Sequence, residues 1–77
     1  DGLSVLFDLL MTHATDAGIA ENCVGVLWNI AAQENLAATV VAQGGIERIL
    51  SSMKSLGSVA RICWLGCAAL ANLVKSE

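Results

Sequence analysis

Gln43-Gly44-Gly45-Ile46-Glu47-Arg48-Ile49-Leu50 is the stretch on which the fold turns. Its two glycines, at which positive φ is cheap, end whatever element precedes them. Beyond them Ile46, Ile49, Leu50 and Met53 recur at i, i+3, i+4 and i+7, one apolar face of a helix. Leu3, Leu6, Phe7 and Leu10 repeat that spacing after Gly2. Sliding the chain along itself by 43 residues lays one set on the other without a gap.

Working outward, that offset pairs Gly2 with Gly45, Ala17 with Ala60, Ile19 with Ile62, Leu27 with Leu70, Asn29 with Asn72 and Glu34 with Glu77. These are six identities in 34 positions, and the replacements between them carry more weight. Leu3 pairs with Ile46, Leu6 with Ile49, Phe7 with Leu50, Leu10 with Met53 and Ile30 with Leu73, so apolar positions stay apolar. A period near 40 residues with helical spacing belongs to stacked helical repeats.

Five helices are expected. The first opens after Gly2. Thr15 or Asp16 caps the second, which carries Ile19, Cys23, Val26, Leu27 and Ile30 to about Ala32. A short third holds Leu36, Val40 and Val41. Its two β-branched valines would also suit a strand, but no partner strand is legible. Ile46 to Met53 form the fourth, and Gly57 ends it. Ser58 is expected to cap the fifth, which holds Ile62, Gly66, Ala69, Leu70 and Leu73.

At 100° per residue, the second helix turns Ile19, Ala20, Cys23, Val24, Leu27, Ile30 and Ala31 to a core. Gly18, Asn22, Gly25 and Asn29 form a narrow stripe opposite. The equivalent stripe is Arg61, Leu65, Ala68 and Asn72, so both long helices are expected to keep a solvated face with Asn at one register. Trp28 and Trp64 flank these stripes and suit packing against a neighbouring repeat. One continuous core of Leu3, Leu6, Leu10, Ile19, Cys23, Leu27, Ile30, Ile46, Ile49, Leu50, Ile62, Leu70 and Leu73 is expected.

Composition narrows the function. The 77 residues carry 4 Lys+Arg against 7 Asp+Glu, a net charge of −3, and 56% are hydrophobic. Disorder needs the opposite balance, and a nucleic-acid binder needs clustered cations that this chain lacks. A chain this short buries only about 60% of its unfolded surface on folding. So apolar a sequence therefore either oligomerises or belongs to a longer array, and the second is expected, with an isolated fragment self-associating. The opening Asp1-Gly2-Leu3 shows no basic region or Ala-x-Ala site. The uncharged run Ile62 to Val74 spans 13 residues, about 20 Å as a helix against a bilayer core of roughly 30 Å. Cys23, Cys63 and Cys67 are odd in number and read as small core residues in a reducing compartment. No metal or cofactor is expected, because His13 lies far from the cysteines. Asp8 and Asp16 are its only carboxylates nearby in sequence. Phosphate-loop, dinucleotide and zinc-protease motifs are all absent, so no enzyme is expected.

The chain resembles the armadillo repeat family. Gln43 to Leu50 is similar to the family's Gly-Gly-Ile-x-x-Leu-Val opening of the second helix of a repeat. Ala69-Leu70-Ala71-Asn72-Leu73-Val74 and Val26-Leu27-Trp28-Asn29-Ile30-Ala31 resemble its Ala-Leu-x-Asn-Leu-Ala on the third helix. The likeness covers residues 1–34 as a partial repeat with helices 2 and 3, and 35–77 as a complete one. A two-helix HEAT repeat is the nearest rival, and the short Leu36–Ala42 helix speaks against it.

The resemblance implies an all-α solenoid, a right-handed superhelix whose third helices line a concave groove. It implies a protein-interaction scaffold, cytoplasmic or nuclear, binding an extended peptide or segment of another protein beside neighbouring repeats of its own chain, with no membrane and no nucleic acid. By the same resemblance, Asn29 and Asn72 bond a partner's backbone, within a surface of Asn22, Gly25, Asn29, Arg61, Leu65, Ala68 and Asn72. A carboxamide donates and accepts, so it can satisfy a peptide unit of any sequence. Both asparagines could instead hold neighbouring repeats together, and the array could be a passive scaffold with no groove ligand. Importin-α-like members carry Trp four residues before that Asn, where this chain has Gly25 and Ala68. β-Catenin-like grooves are basic, and here only Arg61 is. Neither a lysine-rich signal nor an acidic segment is therefore the expected ligand.

Overall fold

A computed structural model describes residues 2–75. They form five helices: α1 (Gly2–Thr12), α2 (Ala17–Ala31), α3 (Glu34–Ala42), α4 (Gly45–Ser55) and α5 (Ala60–Val74). No strand occurs among the described residues, so Val40 and Val41 are helical. Asp1, Ser76 and Glu77, and with them the ends of the two repeat segments and the Glu34–Glu77 pairing, lie outside those residues.

The helices begin and end for local reasons. Asp16 takes extended backbone and its Oδ1 accepts from the Ile19 N–H at 3.1 Å, which caps α2. Val59, 43 residues on, holds the same extended conformation before α5 but has no side chain that can accept. Ser58 is therefore not the cap, because α5 begins one residue later than its position requires. Asp16→Ala is expected to cost about 1 kcal/mol, and Val59→Thr, which keeps the branched shape and adds a hydroxyl, to gain about 0.5–1 kcal/mol. Thermal melting followed by circular dichroism reads both. Gly44 adopts φ 81°, ψ 27° between α3 and α4, a conformation that reverses the chain at the end of α3.

The core is one cluster. Leu27, Ile49, Ile62, Leu73, Val24 and Val40 are its largest fully buried members, joined by Phe7, Leu10, Ala20 and Cys23. Ile19, Ile30, Leu3, Leu6, Ile46 and Leu70 pack against it half buried. Leu50 departs from the expected core. It is 49% exposed, whereas its repeat-mate Phe7 is 5% exposed. Phe7 is covered by α4, whose Arg48 guanidinium stands 4.6 Å over the ring. No described helix covers Leu50 in that way. Cys67 is exposed for the same reason, against the complete burial of its repeat-mate Val24.

The broadest helix contact joins α2 to α5. Arg61 pairs with Glu21, and Trp64 meets Trp28 edge-on, with ring centroids 5.3 Å apart at 81°. Both contacts climb the two helices in the same sense, so equivalent helices of the two segments lie side by side and parallel. The remaining helices fill in around them, with α3 touching α2, α4 and α5.

Candidate functional site

An open groove of about 330 Å³ runs along the seam between α2 and α5. It is lined by Glu21, Asn22, Gly25, Val26, Trp28, Asn29, Arg61 and Leu65. Five of the seven residues expected from sequence thus meet in one place: Asn22, Gly25, Asn29, Arg61 and Leu65. Ala68 and Asn72 lie further along α5, half buried, and do not line it.

Each lining residue contributes in a definable way. Gly25 sits mid-helix, and a Cβ built there would meet nothing within 4 Å, so its lack of a side chain leaves space that no other residue fills. Asn22 and Asn29 flank it on the same face of α2, both exposed. Neither carboxamide hydrogen-bonds to another described residue. Asn29 therefore does not tie α2 to α5, and its donor and acceptor face solvent in the groove. Leu65 is buried against the seam, which corrects the expectation of a solvated stripe on α5. The reason is packing: α5 is contacted by α2, α3 and α4, so less of its surface reaches water.

Charge in the groove is balanced. Arg61, its only cation, donates through Nε to Glu21 Oε1. The pair is largely exposed, so it contributes little to stability. It does cancel the local field, leaving amides and apolar surface as the features that a ligand would meet.

Three lining residues, Glu21, Val26 and Trp28, are not among the expected groove residues, Trp28 being assigned to packing beside the stripe. A usable signal existed. Glu21 and Arg61 are 40 residues apart, and Trp28 and Trp64 are 36 apart, three and seven short of the 43-residue offset. Those shortfalls are close to one and two helical turns. Opposite charges and paired aromatics at those separations mark residues that face each other across neighbouring parallel helices.

A second hollow of about 300 Å³ lies between α1 and α4, lined by Leu10, Met11, Ala14, Glu47, Arg48 and serines of α4. Arg48 Nη1 donates to the carbonyls of Gln43 at 3.2 Å and Gly44 at 3.4 Å, so its charge caps the end of α3 while its plane covers Phe7. It braces the corner where three helices meet.

Elsewhere the chemistry is sparse. Burial pushes the Cys23 thiol up, which favours its protonated, unreactive form. Asp16 is committed to the α2 cap, and although its N–H donates to the His13 carbonyl at 3.0 Å, no side-chain hydrogen bond or ion pair joins His13 to Asp8 or Asp16 among the described residues. No group of three or more His, Cys, Asp or Glu among them stands where it could hold a metal. None of their helices is long and apolar enough to cross a membrane. Comparison with family models, with curated proteins and with solved structures finds no match to this chain in any of the three.

Proposed function

We propose that this chain is a segment of an armadillo-type α-solenoid, a non-catalytic interaction module whose α2–α5 groove binds an extended segment of another protein. The observation that carries the reading is the pair of free carboxamides, Asn22 and Asn29, standing on either side of the empty space at Gly25. A peptide backbone presents alternating donors and acceptors, and a carboxamide answers both without regard to sequence. The neutralised Glu21–Arg61 pair and the apolar Leu65, Val26 and Trp28 favour a ligand of low charge with small or apolar side chains. The 43-residue offset and the parallel contact of α2 with α5 support the repeat reading, with equivalent helices side by side.

The test is a display selection of random linear peptides against the chain, with groove variants as counter-screens. Peptides retained by wild type should be lost with Asn29→Ala, while circular dichroism stays unchanged. Gly25→Ala should raise stability by about 0.5–1 kcal/mol, because glycine costs that much inside a helix and the added methyl meets no neighbour. Gly25→Leu should fold and melt no lower than wild type yet bind none of the selected peptides. Peptides that bind Gly25→Leu as well as wild type would refute the groove.

A further inference from the structure

Comparing repeat-mates 43 residues apart shows which surfaces the two segments cover for each other and which they leave open. On the α4–α5 side, Leu50, Cys67 and Val74 are exposed where their mates Phe7, Val24 and Ala31 are buried. On the α1–α2 side the inequality reverses. Leu9 and Val26 are exposed where Ser52 and Ala69 are buried, and Ile19 is partly open where Ile62 is closed. The molecule therefore carries two different apolar faces, each matching one half of its own internal interface.

We infer that the 77-residue chain on its own associates head to tail, the α1–α2 face of one copy taking the place on the α4–α5 face of the next that a neighbouring repeat of a longer array would hold, and repeating the internal packing. Shifting each internal contact by 43 residues names the contacts between copies. The Phe7–Arg48 contact becomes Leu50 against Val5 of the next copy, both exposed apolar side chains. The Glu21–Arg61 pair becomes Trp64 against Gly18, a large ring on a residue with no side chain. Trp64 is 58% exposed, so its ring has surface to offer although one edge already meets Trp28. The contact is built from the α1–α4 and α2–α5 pairings. Because the two faces differ, the association is heterologous and grows into open chains of copies rather than stopping at a symmetric dimer. It rests on the repeat reading; Val26 belongs to both the groove and this face, but Val5 and Leu50 do not line the groove, so substitutions there test the association separately from ligand binding.

Sedimentation velocity over a concentration series tests this. Wild type should show a mass that climbs with loading. Val5→Glu and Leu50→Glu, each at an exposed helix position, should hold the monomer mass with unchanged helicity. Mixed in equal amounts, the two variants should give a single one-to-one dimer, because each keeps the face that the other has lost. A glutamate chain that loses helicity is replaced by Val5→Gln or Leu50→Gln, read in the same way. Wild type that stays monomeric at every loading overturns the inference and leaves the two faces to a different protein. A mixture that stays monomeric, or a single variant that still dimerises, overturns the head-to-tail arrangement.

Discussion

Leu27→Ala is expected to lower the stability of this chain by about 2–5 kcal/mol, the range for a fully enclosed leucine cut to a methyl group. Leu27 has no solvent exposure and sits on α2 at the centre of the cluster formed with Val24, Ile49, Ile62 and Leu73. A domain of this length holds on the order of 4–12 kcal/mol in total, so the loss brings it close to unfolding. Leu70 occupies the same repeat position, and sequence alone treats the two as equal. In the structure Leu70 is only half buried, so Leu70→Ala should cost about 1–2 kcal/mol. Urea unfolding followed by circular dichroism, with the slope checked for constancy, reads both values. The loading must be low enough that association does not add to the apparent stability. Equal losses at the two positions would contradict the asymmetry between the repeat-mates.

That asymmetry also marks where sequence reading succeeds and where it stops. The five helices were legible because apolar spacing and the glycines at 44, 45 and 57 report local preferences of the chain itself. The 43-residue offset was legible because residue type is kept at corresponding positions, Leu27 with Leu70 and Asn29 with Asn72, whatever the surroundings of each. What a helical wheel does not contain is the identity of the neighbour. Leu65 sits on a stripe that reads as solvated, yet α5 is gripped by three other helices and Leu65 is buried. Leu50 falls on an arc that reads as core, yet its repeat-mate is covered by α4 and it is not. Ser58 has the chemistry of a cap and stands one residue too early.

The groove shows the same division. Asn22, Gly25 and Asn29 lie on one helix, so their common face follows from the wheel. Arg61 and Leu65 join them only because α2 and α5 run parallel and slightly out of step, and that stagger brings in Glu21 and Trp28. Ala68 and Asn72 were assigned by symmetry with α2, and the groove does not extend to them. Correspondence of residues at the 43-residue offset does not give them equal surroundings.

Gly45→Ala is the second substitution with a large expected effect, and it separates two glycines that look alike on the page. Gly44 is needed for its backbone: at φ 81° an L side chain is strained whatever the space, at a cost of about 1–2 kcal/mol. Asparagine visits that region routinely, so Gly44→Asn should recover part of the loss from Gly44→Ala, the rest coming from Arg48 Nη1, which any Cβ at this position would approach to 2.7 Å and displace. Gly45 is needed for a different reason. It is buried at the first turn of α4, and a Cβ there would press on the Val40 side chain and come within 2.8 Å of the Val40 carbonyl oxygen. A side chain can rotate away, but the Val40 carbonyl is fixed in a peptide plane of α3 and cannot. Gly45→Ala must therefore push α3 and α4 apart, with an expected cost of about 1–3 kcal/mol or more. Asparagine should rescue nothing at this position. Val40→Ala added to Gly45→Ala should not rescue it either, since the carbonyl contact persists and a fully buried valine is lost. The separation would also pull Arg48 from the Gln43 and Gly44 carbonyls and from the Phe7 ring, loosening α1 from α4. Urea unfolding of the five variants checks this order, and a Gly45→Ala chain as stable as wild type would show that α3 and α4 do not approach as closely as the structure places them.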